Sequence, residues 1–194
     1  GDKIERGILR DIPLRRETPS GLREKVDLKV LSVKRGGKGE HYVREHFEGG
    51  VRLRIGKKNK LLGKKAIHTY EITYLVREPF YLEKEREVLY WNVNGTEWDF
   101  PADKVSATIR LPEGIEGSKI WGYTGELGEQ GEDYRGKLTA AGASIEATRK
   151  FNARENLSLV LEWPPGLLGP QAYEEERVLS AHSAIKVENS GGVL

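Results

Sequence analysis

The chain contains no cysteine and no methionine. Without cysteine there are no disulfides, no thiolate metal ligands and no cysteine nucleophile. Without methionine, Gly1 is not a start residue, so the expectation is a trimmed or processed chain. No apolar run approaches the ~20 residues of a membrane-crossing helix. An excess of one charge is missing too: 32 Lys and Arg face 30 Asp and Glu, for a net charge of +2. A dedicated nucleic-acid binder carries a clustered basic stripe, so nucleic acid is not an expected partner. Helical periodicity is scarce. The best candidate, residues 81–89, is short and heavily charged.

What the 194 residues do contain is alternation. A chain of this length buries roughly 70% of its unfolded surface and can fold without staples. Val26, Leu28 and Val30 alternate with Asp27 and Lys29, and Val51, Leu53 and Ile55 with Arg52 and Arg54. His68, Tyr70, Ile72, Tyr74 and Val76 share one face of a long period-two run. Val105, Ala107, Ile109 and Leu111 repeat the scheme, as do Leu157, Leu159, Leu161 and Trp163. Each pattern reads as a half-buried strand. Shorter candidates are 41–47, 88–93, 119–123 and 144–150. Turn signals separate them: Gly36-Gly37, Gly49-Gly50, Asn94-Gly95, Pro112-Glu113-Gly114 and Pro164-Pro165-Gly166. Stretches 35–40 and 125–136 read as mobile loops. The pattern predicts an all-β fold with little helix. The expected form is an antiparallel β-sandwich, immunoglobulin-like or jelly-roll-like, of about seven to ten strands. Residues 1–168 form its main part.

No motif announces chemistry. His41 and His46 lie outside the usual zinc spacings, and His68 shares an apolar face. The run Gly122-Tyr123-Thr124-Gly125-Glu126-Leu127-Gly128 lacks the lysine of a phosphate loop and reads as a turn. No nucleophile elbow or dinucleotide fingerprint is present, so no catalytic residue, metal or cofactor is expected. The aromatics offer a binding reading. Trp91, Trp98, Trp121 and Tyr123 either fill the core or form an exposed strip for a sugar or a peptide. Tyr90 and Trp91 are adjacent, so one of them leaves the core. Lys57-Lys58-Asn59-Lys60 with Lys64-Lys65 reads as a solvated hairpin tip, or as a surface facing anionic lipid.

Several spaced segments together carry a family likeness. They are Arg6-Gly7-Ile8-Leu9-Arg10-Asp11-Ile12-Pro13, His68-Thr69-Tyr70-Glu71-Ile72-Thr73-Tyr74, and Leu89-Tyr90-Trp91-Asn92-Val93-Asn94-Gly95-Thr96-Glu97-Trp98. Tyr123-Thr124-Gly125-Glu126-Leu127-Gly128 and Leu157 to Gly166 follow. In this order, over about residues 1–166, the chain resembles the extracytoplasmic domain of the YciQ-like predicted membrane proteins of bacteria, a family of unknown function. The resemblance implies a β domain anchored by transmembrane segments of its own full-length chain. Arg10-Asp11 and Tyr90-Trp91-Asn92 recur in the family's pattern, which adds Arg10 and Asp11 to the candidate ligand-binding residues. The tail, 169–194, resembles the strands that open the family's domain, so the written order looks circularly permuted. Residues 178–188 alternate and are expected to pair as a strand in the same domain, with a turn at 189–192 and a second strand at 193–194.

Three functions remain open, in this order. The first is an extracytoplasmic, non-enzymatic interaction or sensing domain. The second is a carbohydrate or cell-wall binding module using exposed tryptophan. The third is a hydrolase whose carboxylates converge only in the fold. A protein or a cell-wall glycan is the expected partner.

Overall fold

A computed structural model describes residues 6–17, 23–62, 67–77, 79–83, 85–166 and 179–187. The fold is all-β, and there is no helix among the described residues. Among the described residues, sixteen strands form antiparallel sheets. The count exceeds the expected seven to ten because short edge strands such as β5 (Lys38–Gly39) and β9 (Phe80–Glu83) carry too little alternation to be read.

The chain divides into two compact units, Gly1–Glu78 with Arg177–Leu194, and Pro79–Glu176. The first unit holds β1 (Ile8–Pro13), β2 (Arg15–Glu17), β3 (Arg23–Lys25), β4 (Asp27–Arg35), β5, β6 (Tyr42–Phe47), β7 (Gly50–Ile55), β8 (His68–Arg77) and β16 (Leu179–Val187). Its sheets run β1-β7-β6 and β16-β8-β4-β5, with a small β2-β3 hairpin. The apolar positions of β8 are buried as the alternation requires: Tyr70, Ile72 and Tyr74 are fully enclosed. β4 departs from its pattern. A bulge between Val30 and Ser32 shifts the register, leaving Val30 half-buried and Leu31 exposed while Val33 enters the core. A bulge adds one residue and so inverts the phase of everything beyond it.

The tail contributes a strand to the first unit. β16 lies antiparallel to β8, with Leu179, Ala181, Ser183 and Ile185 opposite Val76, Tyr74, Ile72 and Tyr70. Val178, Glu188, the turn at 189–192 and the strand at 193–194 lie outside the described residues.

The second unit holds β9, β10 (Arg86–Asn92), β11 (Ser106–Arg110), β12 (Lys119–Gly125), β13 (Tyr134–Thr139), β14 (Gly142–Ala147) and β15 (Asn156–Trp163). Its sheets run β12-β15-β10-β9 and β11-β14-β13. Ala107 and Ile109 on β11 are only half-buried, because β11 is an edge strand. The charged stretch 81–89 is not helical. It is the hairpin of β9 and β10, turning at Glu85 with φ 63°. Its helix-favouring residues are overridden by pairing on both sides of β10. The two presumed loops are also ordered by pairing. Residues 35–40 form a tight turn with Gly36 and Gly37 at positive φ, clasped by an Arg35–Glu40 ion pair. In 125–136, Gly131 exchanges two hydrogen bonds with Thr124, each 2.8 Å, before β13 begins. Gly95 adopts φ 81° as its turn signal implies, yet no hairpin follows; the chain runs on irregularly to β11.

One close approach closes the β1–β7 pair. Gly7 and Gly56 face each other just beyond Ile8 and Ile55, with φ of 143° and 115°. A Cβ on Gly56 would lie 2.2 Å from the Arg6 carbonyl oxygen, and one on Gly7 1.8 Å from that of Ile55. Gly37, by contrast, has nothing within 4 Å. Gly56→Ala is therefore expected to lose at least ~2 kcal/mol through strain and displaced backbone. Gly37→Asn, in a turn position that asparagine tolerates, is expected to lose under ~1 kcal/mol. Urea unfolding midpoints of the two variants check the contrast.

Candidate functional site

β15 runs through the second unit between β10 and β12. Residues Asn156 to Leu161 are all buried, so period two disappears from its burial. Leu157, Leu159 and Leu161 point toward the β11-β14-β13 sheet. There a Cβ on Gly122, beside Leu159 in the register, would come within 2.8 Å of the Ile145 Cδ1 atom. The other face of the sheet follows from register alone. Tyr90, Val160 and Trp121 form one cross-strand row, and Asn92, Ser158 and Tyr123 the next. Directly opposed side chains have Cβ atoms about 5 Å apart, so each row is a contact row.

This face combines rings with amide and hydroxyl groups. Tyr90 is 41% exposed. Trp121, Tyr123 and Asn92 are half-buried, and Lys119 is exposed. The Trp121 indole N–H donates to the Tyr123 hydroxyl at 3.2 Å. The Lys119 ammonium lies 4.6 Å from the Trp121 ring centroid, a cation–π contact. Ser158 donates to Asn92 Oδ1 at 2.7 Å, and Asn156 Nδ2 donates to Ser158 Oγ at 2.8 Å. The Asn92 amide N–H groups make no hydrogen bond among the described residues. The Tyr123 hydroxyl, accepting from Trp121, keeps its own proton to donate. The face therefore offers flat rings and two donors on β10 and β12, fixed in register by the buried β15 between them.

Of the residues singled out in the sequence, Trp121 and Tyr123 come together here. Trp91 does not: it takes the opposite face, in the row of Leu159 and Gly122. Trp98 sits in the irregular stretch after β10. Its indole donates to the Asn94 carbonyl at 2.7 Å, and its ring lies 5.0 Å from Phe100. Arg10 and Asp11 belong to the first unit. Asp11 receives a two-pronged grip from Arg52 at 2.7 and 2.6 Å. Arg10 is buried and hydrogen-bonded to the Tyr74 hydroxyl, which ties β1 to β8. Burial pulls its guanidinium below the ordinary arginine value, while Tyr74 and Asp11 oppose that shift. Tyr90, Asn92, Lys119 and Ser158 were not selected from sequence. Adjacency to Trp91 and the Tyr90-Trp91-Asn92 segment of the family likeness hinted at Tyr90 and Asn92; Lys119 and Ser158 are brought in by the structure.

Each unit holds one further polar cluster. In the first unit, the Tyr70 hydroxyl and His68 Nε2 are buried with no hydrogen-bond partner among the described residues. Burial raises the Tyr70 hydroxyl pKa, and Arg35 opposes it. Burial also raises the Glu40 carboxyl, but hydrogen bonds from Arg35 and the His41 N–H outweigh it, and the net shift is downward. In the second unit, Arg149 binds Asp133 at 2.7 Å and both oxygens of Glu155 at 2.6 and 3.0 Å. Its hydrogen bonds to Glu155, then to Asp133, raise its pKa; the Arg149 bond in turn holds Glu155 below the ordinary range. No group of three or more metal-ligating side chains occurs among the described residues.

The Asn94 side chain spans the gap to β15, donating to the Glu155 carbonyl at 2.8 Å and accepting from the Leu157 N–H at 2.9 Å. Asn94→Ala leaves both backbone groups unpaired, and a loss of about 1–3 kcal/mol is expected from denaturant unfolding. Glu155 sets a pH dependence. Its folded pKa is lowered, so its contribution is present above the ordinary glutamate value of about 4.3 and is lost as pH falls through the lower folded value. Glu155→Gln is expected to be about 1 kcal/mol less stable than the parent at pH 7, a modest figure because Arg149 is partly solvated. The difference should shrink as pH falls through that lower folded value, as thermal unfolding across pH would record.

The sequence matches the model of the family described as "Predicted membrane protein (DUF2207) N-terminal domain" over residues 2–163. It is 26% identical over 180 residues to the Uncharacterized protein YciQ of Escherichia coli (strain K12). That match takes in 93% of this chain, and the chain spans 28% of the length of that protein. No solved structure matches the chain. A permuted order receives no support. A match of 180 residues cannot be fitted into 1–168, so it takes in part of the tail in the written order. β16 needs no permutation to reach β8, because an antiparallel partner can come from any distance along the chain. The all-β fold, the Arg-Gly-Ile-Leu-Arg-Asp segment on β1 and the match over 2–163 lead to one assignment: the chain belongs to the N-terminal domain family of the DUF2207 predicted membrane proteins.

Proposed function

We propose that this is the extracytoplasmic, non-enzymatic interaction or sensing domain of a bacterial membrane protein, working beside transmembrane segments of its own full-length chain. The observation that carries the reading is the Tyr90, Trp121, Tyr123 and Asn92 face. It presents rings and free donors on β10 and β12, held in register by the buried β15 between them, which suits reversible recognition. The ionisable groups favour binding over catalysis. The shifted carboxylates, Glu40 and Glu155, are both held low by arginine, whereas a general acid is tuned upward. The buried Glu87 carboxylate is occupied by the Trp163 indole and the Gly166 N–H.

A second reading, a cell-wall glycan as the ligand, is favoured by the same rings with adjacent amide and hydroxyl donors, since sugars present apolar faces edged by hydroxyls. Three measurements test these readings. In the full-length protein, external protease on spheroplasts is expected to cleave the domain; full protection would overturn the extracytoplasmic placement. Purified chain incubated with cell-wall polymers is expected to leave them intact, and sustained turnover would overturn the non-enzymatic reading. On peptidoglycan fragments, Trp121→Ala is expected to weaken binding roughly tenfold, the equivalent of ~1.4 kcal/mol for one stacked ring. Trp98→Ala, held within its loop, should change binding little. Equal binding by parent and Trp121→Ala would remove the glycan reading.

A further inference from the structure

We infer that one end of the first unit is a membrane-contact surface for anionic phospholipid. Its elements converge through pairing. β7 ends at Ile55 and β8 begins at His68; β4 turns into β5 at Gly36 and Gly37. The Gly36 N–H donates to the Thr69 carbonyl at 2.9 Å, and the Gly56 N–H to that of His41 at 2.7 Å. These bonds bring the β4–β5 turn, the start of β6, the end of β7 and the start of β8 to the same end.

That end carries Lys38, Lys57, Lys58 and Lys60, all exposed. A turn closed by the Lys60 N–H on the Lys57 carbonyl, 3.0 Å, gathers the last three. The neighbouring acids are already engaged: Glu40 with Arg35, Glu71 with Lys34 at 3.0 Å, and Glu45 with Arg54 at 2.9 Å. None of the four lysines has an ion pair among the described residues; Lys60 lies near enough to Glu40 to help hold its carboxyl pKa down, while Lys38, Lys57 and Lys58 direct their charge to solvent. Two large apolar side chains stand among them. Leu61 is 62% exposed and Ile67 is 61% exposed. Apolar side chains beside lysines are the composition of an interfacial membrane contact: the apolar groups enter the headgroup boundary while the ammonium groups meet phosphate.

A net charge of +2 over the whole chain shows that this cluster is local, not the reflection of a basic protein. The occupant follows from the family. The chain is the N-terminal domain of a predicted membrane protein, so a bilayer surface lies within reach of the rest of its chain. The inference rests on that membership and does not depend on which side of the membrane the domain occupies or on the Trp121 face.

Sedimentation of the 194-residue chain with vesicles tests it. Mixed vesicles of phosphatidylglycerol and phosphatidylcholine are compared with phosphatidylcholine alone. The chain is expected to bind the anionic vesicles, to release in high salt and to ignore the neutral ones. Each lysine near an anionic surface contributes roughly fivefold, so the Lys57→Ala, Lys58→Ala, Lys60→Ala triple variant should bind about a hundredfold more weakly. A Leu61→Ser, Ile67→Ser variant should weaken binding with its salt dependence kept. Arg15→Ala, at the opposite end of β1, should bind as the parent does. All these side chains are exposed, and near-parental thermal unfolding of each variant confirms its fold. No binding, equal binding to neutral vesicles, parental binding by the triple variant, or displacement of the vesicles by duplex DNA would overturn the inference. Loss of glycan binding with vesicle binding retained would leave it standing.

Discussion

β15 is buried on both faces from Asn156 to Leu161, and the second unit depends on that double burial. On one side Leu157, Leu159 and Leu161 exclude water against the sheet that carries Ile145. Each buried leucine stabilises by roughly 1.5–3 kcal/mol. That side can close only because Gly122 lacks a Cβ, which would lie 2.5 Å from the Ser158 carbonyl oxygen. On the other side the strand buries polar groups, and they persist because they satisfy one another. Asn156, Ser158 and Asn92 share hydrogen bonds, and the Gly95 N–H donates to Asn156 Oδ1 at 2.8 Å. A one-residue slip would exchange the two faces and leave leucine outside and asparagine in the core. The register is therefore strongly specified, and with it the meeting of Tyr90, Trp121 and Tyr123.

The first unit solves a different problem. Arg10 occupies a position on β1 where alternation with Ile8 and Ile12 demands an apolar side chain. A buried guanidinium is tolerated only with acceptors at hand. The Tyr74 hydroxyl from β8 supplies one, and the neighbouring Asp11 favours the charge. Asp11 is itself held by Arg52 of β7, its partner in the register. The segment that carries the family likeness is thus used to hold sheets together. Its recurrence in the family's pattern needs no ligand to account for it.

The two surfaces proposed for binding differ in chemistry. The Trp121 face has rings and uncommitted donors, the chemistry of a reversible ligand. The lysine-bearing end of the first unit has exposed lysines beside exposed aliphatic groups, the chemistry that suits a lipid headgroup region. Elsewhere the ionic groups are spent on structure, as where Arg149 joins Asp133 to Glu155 and fastens the approach to β15.

Alternation along a strand is a local property, because the pleat itself turns successive side chains to opposite faces. For that reason β7, β8 and the leucine face of β15 were legible from sequence, and the glycine pair at Gly36-Gly37 was legible as a turn signal although the stretch around it read as a mobile loop. The likeness to the membrane-protein family was legible for a different reason: it resides in spaced motifs that the chain carries whatever its fold. Tertiary structure alone decided which strands are neighbours. It turned the charged 81–89 stretch into a hairpin, displaced Leu31 at a bulge, and made β13 a strand although its side chains are largely exposed. It also placed Trp121 and Trp91 on opposite faces and drew Asn92 and Ser158 into the site. The physical reason is that these outcomes depend on register between segments far apart in sequence. A single strand holds no information about which distant partner will satisfy its backbone or its buried polar groups.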